Sequence, residues 1–157
     1  MTEDVRLKLN HALKHALEAQ ARHAWPEECC GLLVGQVHVS GVAGLKHVEV
    51  ASLVESTNQA PLKERGHRFE IDPTLHLSLQ RKLRATSQGV VGVYHSHPNG
   101  RAELSDSDRL NAFESNFVWL VLALSGDKKD PMQWGAYFRE GAQMPACFKA
   151  MRLEVAD

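Results

Sequence analysis

The fold and the chemistry of this chain both depend on one stretch, VVGVYHSHPNGRAELSDSD, which runs from Val90 to Asp108. It opens with an apolar run typical of a buried strand and then presents His95 and His97 before Pro98. Residues i and i+2 of a strand point to the same face, so both imidazoles are expected to face one point. Two histidines, one carboxylate and an open fourth position form a catalytic zinc site. The stretch therefore predicts a zinc site at the end of a strand, with Asp108 as the candidate third ligand.

The acidic turn that closes this stretch offers two carboxylates. Ser105 is followed three residues later by Asp108, a spacing that resembles the capping box at the start of a helix. Capping and metal binding are compatible, because a capped first turn would hold the Asp108 carboxylate rigidly against the ion. Asp106 is the rival ligand, and the residues alone leave this choice open.

Amide hydrolysis at a zinc site also needs a general base to take a proton from the attacking water. The candidates are Glu27, Glu28 and Glu103. Glu28 stands two residues before Cys30 and would share its strand face if the strand extends that far. The alternative is a solvated acidic turn before a strand, and spacing does not choose between Glu27 and Glu28.

Composition narrows the class of protein. A chain of 157 residues with 43% apolar residues is long enough for one domain with a real core. The net charge of -1 argues against a strong attraction to nucleic acid or to an anionic membrane. No apolar run approaches the roughly 18 residues that span a bilayer, and no signal peptide precedes the body. The three cysteines, Cys29, Cys30 and Cys147, are expected to be reduced thiols in a cytoplasmic protein.

Hydrophobic periodicity and turn residues predict the order of elements. Helices are expected over Thr2 to Ala24, with Thr2 or Asp4 as the cap, from Asp72-Pro73 to about Ala85, and from Ser105 to about Glu114. Strands are expected over Cys30–Val34, Val37–Val42, Lys46–Val54, Arg68–Ile71, Val90–Tyr94, Asn116–Ser125 and Gln133–Arg139. The segment Glu55–Gly66 is expected to be a loop, and Cys147–Val155 is either an edge strand or a short helix. This order predicts an α/β domain with a mixed sheet covered by helices.

Two separated motifs together resemble the JAMM (MPN+) metalloprotease family, in its prokaryotic JAB-like branch. They are ECCGLLVG, from Glu28 to Gly35, and HSHPNGRAELSDSD, which ends at Asp108. Their order and spacing both agree with the family, and a softer resemblance covers most of the chain, including RFEIDP. The resemblance selects Glu28 over Glu27 as the base and Asp108 over Asp106 as the ligand.

The resemblance implies a single JAMM/MPN+ metalloprotease domain over residues 1–157. Its fold would be a mixed curved sheet flanked by helices, similar to cytidine deaminases. One Zn²⁺ per chain would be held by His95, His97 and Asp108. Glu28 would act as general base and pass its proton to the leaving amine, and Ser105 would donate a hydrogen bond to the oxyanion.

The activity implied by the resemblance is that of a zinc isopeptidase or peptidase, similar to a deubiquitinase. It would cleave after the C-terminal glycines of a ubiquitin-like or sulfur-carrier protein. The extended tail is expected to add to a sheet edge near the metal, and Glu55–Gly66 is the expected substrate-facing loop. Two alternatives are a non-catalytic MPN scaffold that binds such tails and a hydrolase of small amides or peptides.

Overall fold

The structure is a computed structural model that describes residues 5–39 and 46–157. Its helices are α1 (His11–Ala24), α2 (Pro73–Leu83) and α3 (Asp106–Leu110), with a 3₁₀ turn at Leu62–Glu64. Its strands are β1 (Val5–Leu9), β2 (Cys30–Val39), β3 (Lys46–Ser56), β4 (Gly89–His97), β5 (Phe117–Ala123), β6 (Gln133–Glu140), β7 (Cys147–Ala150) and β8 (Arg152–Val155). None of the helices in these ranges is long and apolar enough to cross a membrane.

All of these strands join one curved, nearly barrel-like mixed sheet in the order β7-β6-β5-β4-β2-β3-β1-β8. The pairs β1·β3, β1·β8 and β4·β5 are parallel, and the others are antiparallel. The two edge strands follow each other in the chain with only Met151 between them. The Met151 N–H donates to the Ala136 carbonyl of β6 at 2.8 Å, so the sheet must curl until its edges are neighbours. This architecture confirms the predicted α/β class with a mixed curved sheet.

The predicted helix from Thr2 to Ala24 is wrong in its first part. Val5, Leu7 and Leu9 are buried in alternation with more exposed neighbours, which is the period of a strand. The helix begins only after Asn10, whose side chain accepts from the Leu13 N–H at 2.8 Å. The proposed caps, Thr2 and Asp4, lie outside the described residues.

Other boundaries also differ from the predictions. The Arg68–Ile71 segment belongs to no strand, and α3 ends at Leu110 instead of continuing to about Glu114. The start predicted at Val37 belongs to the long strand β2, and residues 40–45 lie outside the described residues. The undecided C-terminal segment forms two short strands, β7 and β8. The helix predicted after Asp72 is confirmed, since Asp72 accepts from the Thr74 N–H at 2.9 Å.

A glycine in the first motif makes the central packing possible. The Tyr94 side chain lies directly against Gly31, so that a Cβ at this position would collide with the tyrosine ring. The buried tyrosine hydroxyl donates to the Gln20 Oε1 atom of α1 at 2.6 Å. Gly31 of the motif ECCGLLVG therefore leaves room for Tyr94, which connects α1 to the sheet through its hydrogen bond.

The sheet topology places the end of β4 at its centre. β4 lies between β2 and the fully buried strand β5, and it runs parallel to β5. In sheets with parallel strands, ligands bind beyond the carboxyl ends of those strands. His97 is the last residue of β4, and the connection from β4 to β5 carries α3. The candidate site therefore lies at the carboxyl end of β4, in the middle of the sheet.

Candidate metal centre

Three ligand atoms converge at the end of β4. The Nε2 atoms of His95 and His97 lie 3.0 Å apart, and the Asp108 Oδ2 atom lies 3.1 Å from each of them. All three side chains are buried, with His95 entirely so. The structure thus brings together the two histidines and the aspartate that the sequence singled out.

This triangle of atoms fits one small cation. Tetrahedral ligands about 2.0–2.1 Å from a zinc ion lie roughly 3.3 Å from each other, close to the spacings found here. The His97 Nδ1–H donates to the Arg101 carbonyl at 2.8 Å, which leaves Nε2 as the free lone pair. Two imidazole nitrogens and a carboxylate oxygen are ligands that suit zinc.

Asp108 reaches the histidines because it belongs to a capping box. The Ser105 Oγ atom accepts from the Asp108 N–H at 3.0 Å, and the Ser105 N–H donates to Asp108 Oδ2 at 2.9 Å. That same carboxylate oxygen faces both histidines. Asp106 is exposed, and no contact with either histidine is found for it among the described residues. Capping therefore fixes the orientation of the candidate ligand.

Glu28 is the carboxylate that lies beside the triangle. It is 4% exposed, and its ligand atom lies within 4.8 Å of those of His95 and His97. Its Oε1 atom is buried and has no hydrogen-bond partner among the described residues. Glu27 is half-buried, and Glu103 is exposed. Of the three candidate bases, Glu28 is thus the one enclosed next to the histidines.

The register between β2 and β4 brings Glu28 to this position. Cys30 pairs with His95 in the antiparallel ladder, and the Ser96 N–H donates to the Cys29 carbonyl at 3.0 Å. Continuing this register by one residue places Glu28 beside His97. The base and the ligands therefore come from neighbouring strands that are far apart in sequence.

Burial and opposing charges set the protonation of these groups. Burial raises the pKa of Glu28 to about 8, although the charge of His97 lowers it and Asp108 raises it further. Burial also acts to raise the pKa of Asp108, but the charge of His95 and the hydrogen bonds that Asp108 accepts hold that pKa well below its usual range. Burial lowers the pKa of His95, against the opposing charge and hydrogen bond of Asp108. A neutral imidazole and an ionised carboxylate are the forms that bind a metal.

The protonation of His97 responds to the same carboxylate. Burial lowers the pKa of His97, but the hydrogen bonds to Asp108 and to the Arg101 carbonyl outweigh it, so that the pKa is raised. Asp108 thus attracts positive charge to this point, and a divalent ion would take the place of the proton.

Sequence reasoning missed the side chains that support this centre. Phe69 stacks on the His95 ring with 4.3 Å between centroids, and Trp119 meets it edge-on at 5.8 Å. The Ser96 Oγ atom accepts from the Cys29 N–H at 2.8 Å and links the two strands of the site. In the sequence, these supporting roles are signalled only by the position of Ser96 between two histidines and by the position of Phe69 in RFEIDP.

Asn58 fixes the backbone around the candidate base. Its amide group donates to the carbonyls of Glu28 at 3.2 Å and of Arg68 at 3.0 Å. Its Oδ1 atom accepts from the N–H groups of Ala60 and Glu70. Asn58, in the Glu55–Gly66 loop, therefore connects the backbone of Glu28 to the segment that carries Phe69.

Residues of the centre line two cavities. One, of about 420 Å³, reaches Asp108 and is largely apolar; its walls include Leu32, Phe69, Ile71, Val93, Phe117 and Trp119. The other, of about 480 Å³, is more polar and is lined by His97, Asn99, Arg101, Glu103, Leu104, Ser105 and Asp106. A chain that passes the three ligand atoms would have one part in each cavity.

Cys29 and Cys30, the cysteines beside Glu28, do not offer a rival nucleophile. Burial raises the pKa of the Cys29 thiol to about 11 and that of the Cys30 thiol to about 12. Both thiols are free and buried, whereas Cys147 is free and exposed. A thiolate is needed for attack, so the chemistry of this centre belongs to the histidines and carboxylates.

The curved mixed sheet and the carboxylate–histidine cluster at the end of its central strand β4 indicate a JAB-type domain. A family model described as prokaryotic homologs of the JAB domain matches residues 11–137, and the chain belongs to this family. This membership confirms the family predicted from the two motifs.

The chain is also similar to individual proteins. It is 30% identical over 129 residues to a desampylase from Haloferax volcanii. The aligned region covers 82% of this chain and 84% of that protein. This similarity supports the classification of this chain as a hydrolase.

Two solved structures resemble the fold. A protein from Desulfitobacterium hafniense has a TM-score of 0.73 at 22% identity, covering 96% of this chain and 93% of that chain. One from Salinibacter ruber has a TM-score of 0.60 at 25% identity, covering 96% of this chain and 91% of that chain.

Proposed function

We propose that this chain is a zinc-dependent isopeptidase or peptidase that cleaves after the C-terminal tail of a ubiquitin-like or sulfur-carrier protein. The observation that carries the proposal is the triangle of His95 Nε2, His97 Nε2 and Asp108 Oδ2, with spacings of 3.0–3.1 Å beside the buried Glu28 carboxylate. Metal-assisted hydrolysis needs this combination of ligands and a base.

Each residue has a separate task in the proposed reaction. His95, His97 and Asp108 would hold zinc, which would supply Lewis acidity toward the scissile carbonyl. Glu28 takes a proton from the attacking water and later gives it to the leaving amine. Ser105 uses its hydroxyl proton, which the capping bond leaves free, to donate a hydrogen bond to the developing oxyanion.

The enclosed position of Glu28 suits the role of base. A carboxylate in water is too weak a base near neutral pH, and general bases act best when their pKa lies near the working pH. Burial moves the pKa of Glu28 in that direction, while the positive charge of a bound ion would lower it again. The balance of these two effects keeps the group able both to accept and to release a proton.

The two cavities support an extended substrate that crosses the centre. The apolar cavity suits apolar side chains of a tail, and the polar cavity suits a charged or polar leaving group. β4 is flanked on both sides by strands, so a tail next to the centre cannot extend the sheet at β4. We propose that the tail lies along the segment Phe69–Ile71, which lines the apolar cavity, and not along the Glu55–Gly66 loop.

The carrier protein is proposed from the family and its desampylase relative. The relative is a desampylase, and it matches most of this chain at 30% identity. Complete ligands beside a buried acid favour catalysis over a scaffold that only binds tails.

The decisive experiment replaces Glu28 and uses its sequence neighbour as a matched control. A ubiquitin-like protein with a C-terminal fusion is incubated with zinc-loaded wild type, Glu28→Gln and Glu27→Gln. We expect Glu28→Gln to lower turnover by about 10²–10⁴-fold, the usual contribution of a general base. Glu27→Gln should leave turnover unchanged, because Glu27 lies outside the enclosed site.

Three results would contradict parts of this proposal. Cleavage that survives Glu28→Gln would remove Glu28 from the mechanism. Cleavage that persists in a chelator and does not respond to added zinc would remove the metal. Equal rates on the intact carrier and on its isolated tail peptide would favour a hydrolase of small peptides.

A further inference from the structure

A second cluster of metal-binding side chains lies on the outer part of the β2–β3 hairpin. It consists of His38, His47 and Glu49, whose ligand atoms all lie within 4.8 Å of one another. The strand β2 begins at Cys30 beside His95, so His38 lies near its opposite end. The cluster is therefore separate from the candidate centre.

The strand register produces this cluster. His38 pairs directly with His47 across the antiparallel ladder, and Glu49 follows His47 by two residues on the same face. The two imidazole rings are stacked, with 4.5 Å between their centroids and 21° between their planes. Two rings held this way present their nitrogens side by side.

One nitrogen of the cluster has no hydrogen-bond partner. The His38 Nε2 atom is shielded from solvent and makes no hydrogen bond within the described part of the chain. The Glu49 Oε2 atom is 3.7 Å away, which is within ion-pair distance but too long for a hydrogen bond. A buried polar atom without a partner costs free energy, and a metal ion would satisfy it.

We propose that His38, His47 and Glu49 bind a second divalent transition-metal ion, with solvent completing its coordination. Imidazoles with a carboxylate suit zinc, nickel and copper ions. The spacing must shrink from at most 4.8 Å to roughly 3.3 Å for a tetrahedral ion. The side chains of His38 and Glu49 are 41% and 62% exposed, so they can rotate by this amount.

Charged side chains of both signs surround the cluster. Arg6 lies next to His47 in the ladder between β1 and β3, and Arg152 of β8 lies next to Arg6. Glu154 faces Arg6 at 3.1 Å and Lys8 at 4.0 Å. A bound cation is therefore repelled by this basic row and attracted by the carboxylates of Glu49 and Glu154.

A metal ion at this position would link β2 to β3 across the hairpin. Binding to the folded state alone stabilises it by mass action. We expect the melting temperature to rise with zinc concentration through two separate contributions, one from each site. The second contribution should disappear when either histidine of the hairpin is removed.

The test counts zinc ions bound by metal-free protein without an affinity tag, using titration calorimetry. Wild type should bind two ions, and His38→Ala and His47→Ala should each bind one. His97→Ala should also bind one ion, because only the candidate centre is lost. The matched control is His15→Ala, an exposed histidine on α1, which should still bind two ions.

Imidazole nitrogen chemical shifts give an independent measurement. Added zinc should move the signals of His38 and His47 in the His97→Ala variant, where the other centre is disabled. Binding of no ion by His97→Ala, or binding of a single ion by wild type that is retained in His38→Ala and His47→Ala, would overturn the proposal. So would unchanged binding in both His38→Ala and His47→Ala, or loss of the second ion in His15→Ala.

Discussion

Ser105 has two tasks that substitution can separate. Its Oγ atom caps α3 by accepting from the Asp108 N–H, and its hydroxyl proton is proposed to meet the oxyanion. Ser105→Ala removes both functions. Ser105→Gly removes the hydroxyl proton too, but glycine is a far better cap than alanine. Ser105→Thr retains both the acceptor and the donor.

The two tasks have different magnitudes. Loss of the cap should cost about 1 kcal/mol of unfolding free energy in Ser105→Ala and only a few tenths in Ser105→Gly. For a chain of this size, about 1 kcal/mol lowers the melting temperature by roughly 2–4 °C. Loss of one oxyanion donor should lower kcat by about 10²–10³-fold in both variants.

The assay therefore compares kcat with thermal unfolding for the three variants. Cleavage of the ubiquitin-like fusion gives kcat, and unfolding is followed by circular dichroism at constant zinc concentration. We expect alanine and glycine to share the kinetic defect but not the loss of stability, while threonine retains both properties. A kcat that follows stability across the series would refute the oxyanion role and leave Ser105 as a helix cap.

Three further predictions concern residues outside the proposed ligand set. Ser96→Ala should lower kcat and also weaken zinc binding measured by calorimetry, because the bond to the Cys29 N–H aligns β2 with β4; unchanged values would show that the ladder suffices. Iodoacetamide should modify the exposed Cys147 in the native protein and spare the buried Cys29, as mass spectrometry would reveal. Arg139→Met should lower the unfolding free energy by about 3 kcal/mol in urea titrations, because the buried guanidinium donates to several carbonyls.

Local sequence predicted how the candidate ligands are oriented, but not which carboxylates take part. The HxH spacing on a strand predicts that His95 and His97 share a face, and the Ser-x-x-Asp spacing predicts a capping box. The residues alone left Asp108 open against Asp106 and Glu28 open against Glu27, and the family resemblance selected Asp108 and Glu28. For Glu28 the structure adds the reason, which is the register of β2 against β4.

The parts that were missed depend on contacts between distant segments. Val5, Leu7 and Leu9 alternate as a strand, but Leu9 also begins an apolar helical stripe with Leu13 and Leu17, so the helix was extended too far. The parallel pairing of β1 with β3 and β8 decides in favour of a strand, and no local pattern records that pairing.

The same limit explains why the hairpin cluster is invisible in the sequence. His38 and His47 have no motif spacing, and each taken alone is an ordinary surface histidine. Their stacking follows only from the ladder that pairs residue 38 with residue 47. At the candidate centre, register likewise joins Glu28 to the histidines of β4. Strand pairing therefore creates the hairpin cluster and places the base at the candidate centre, and a change in register that separates the paired residues would abolish either arrangement.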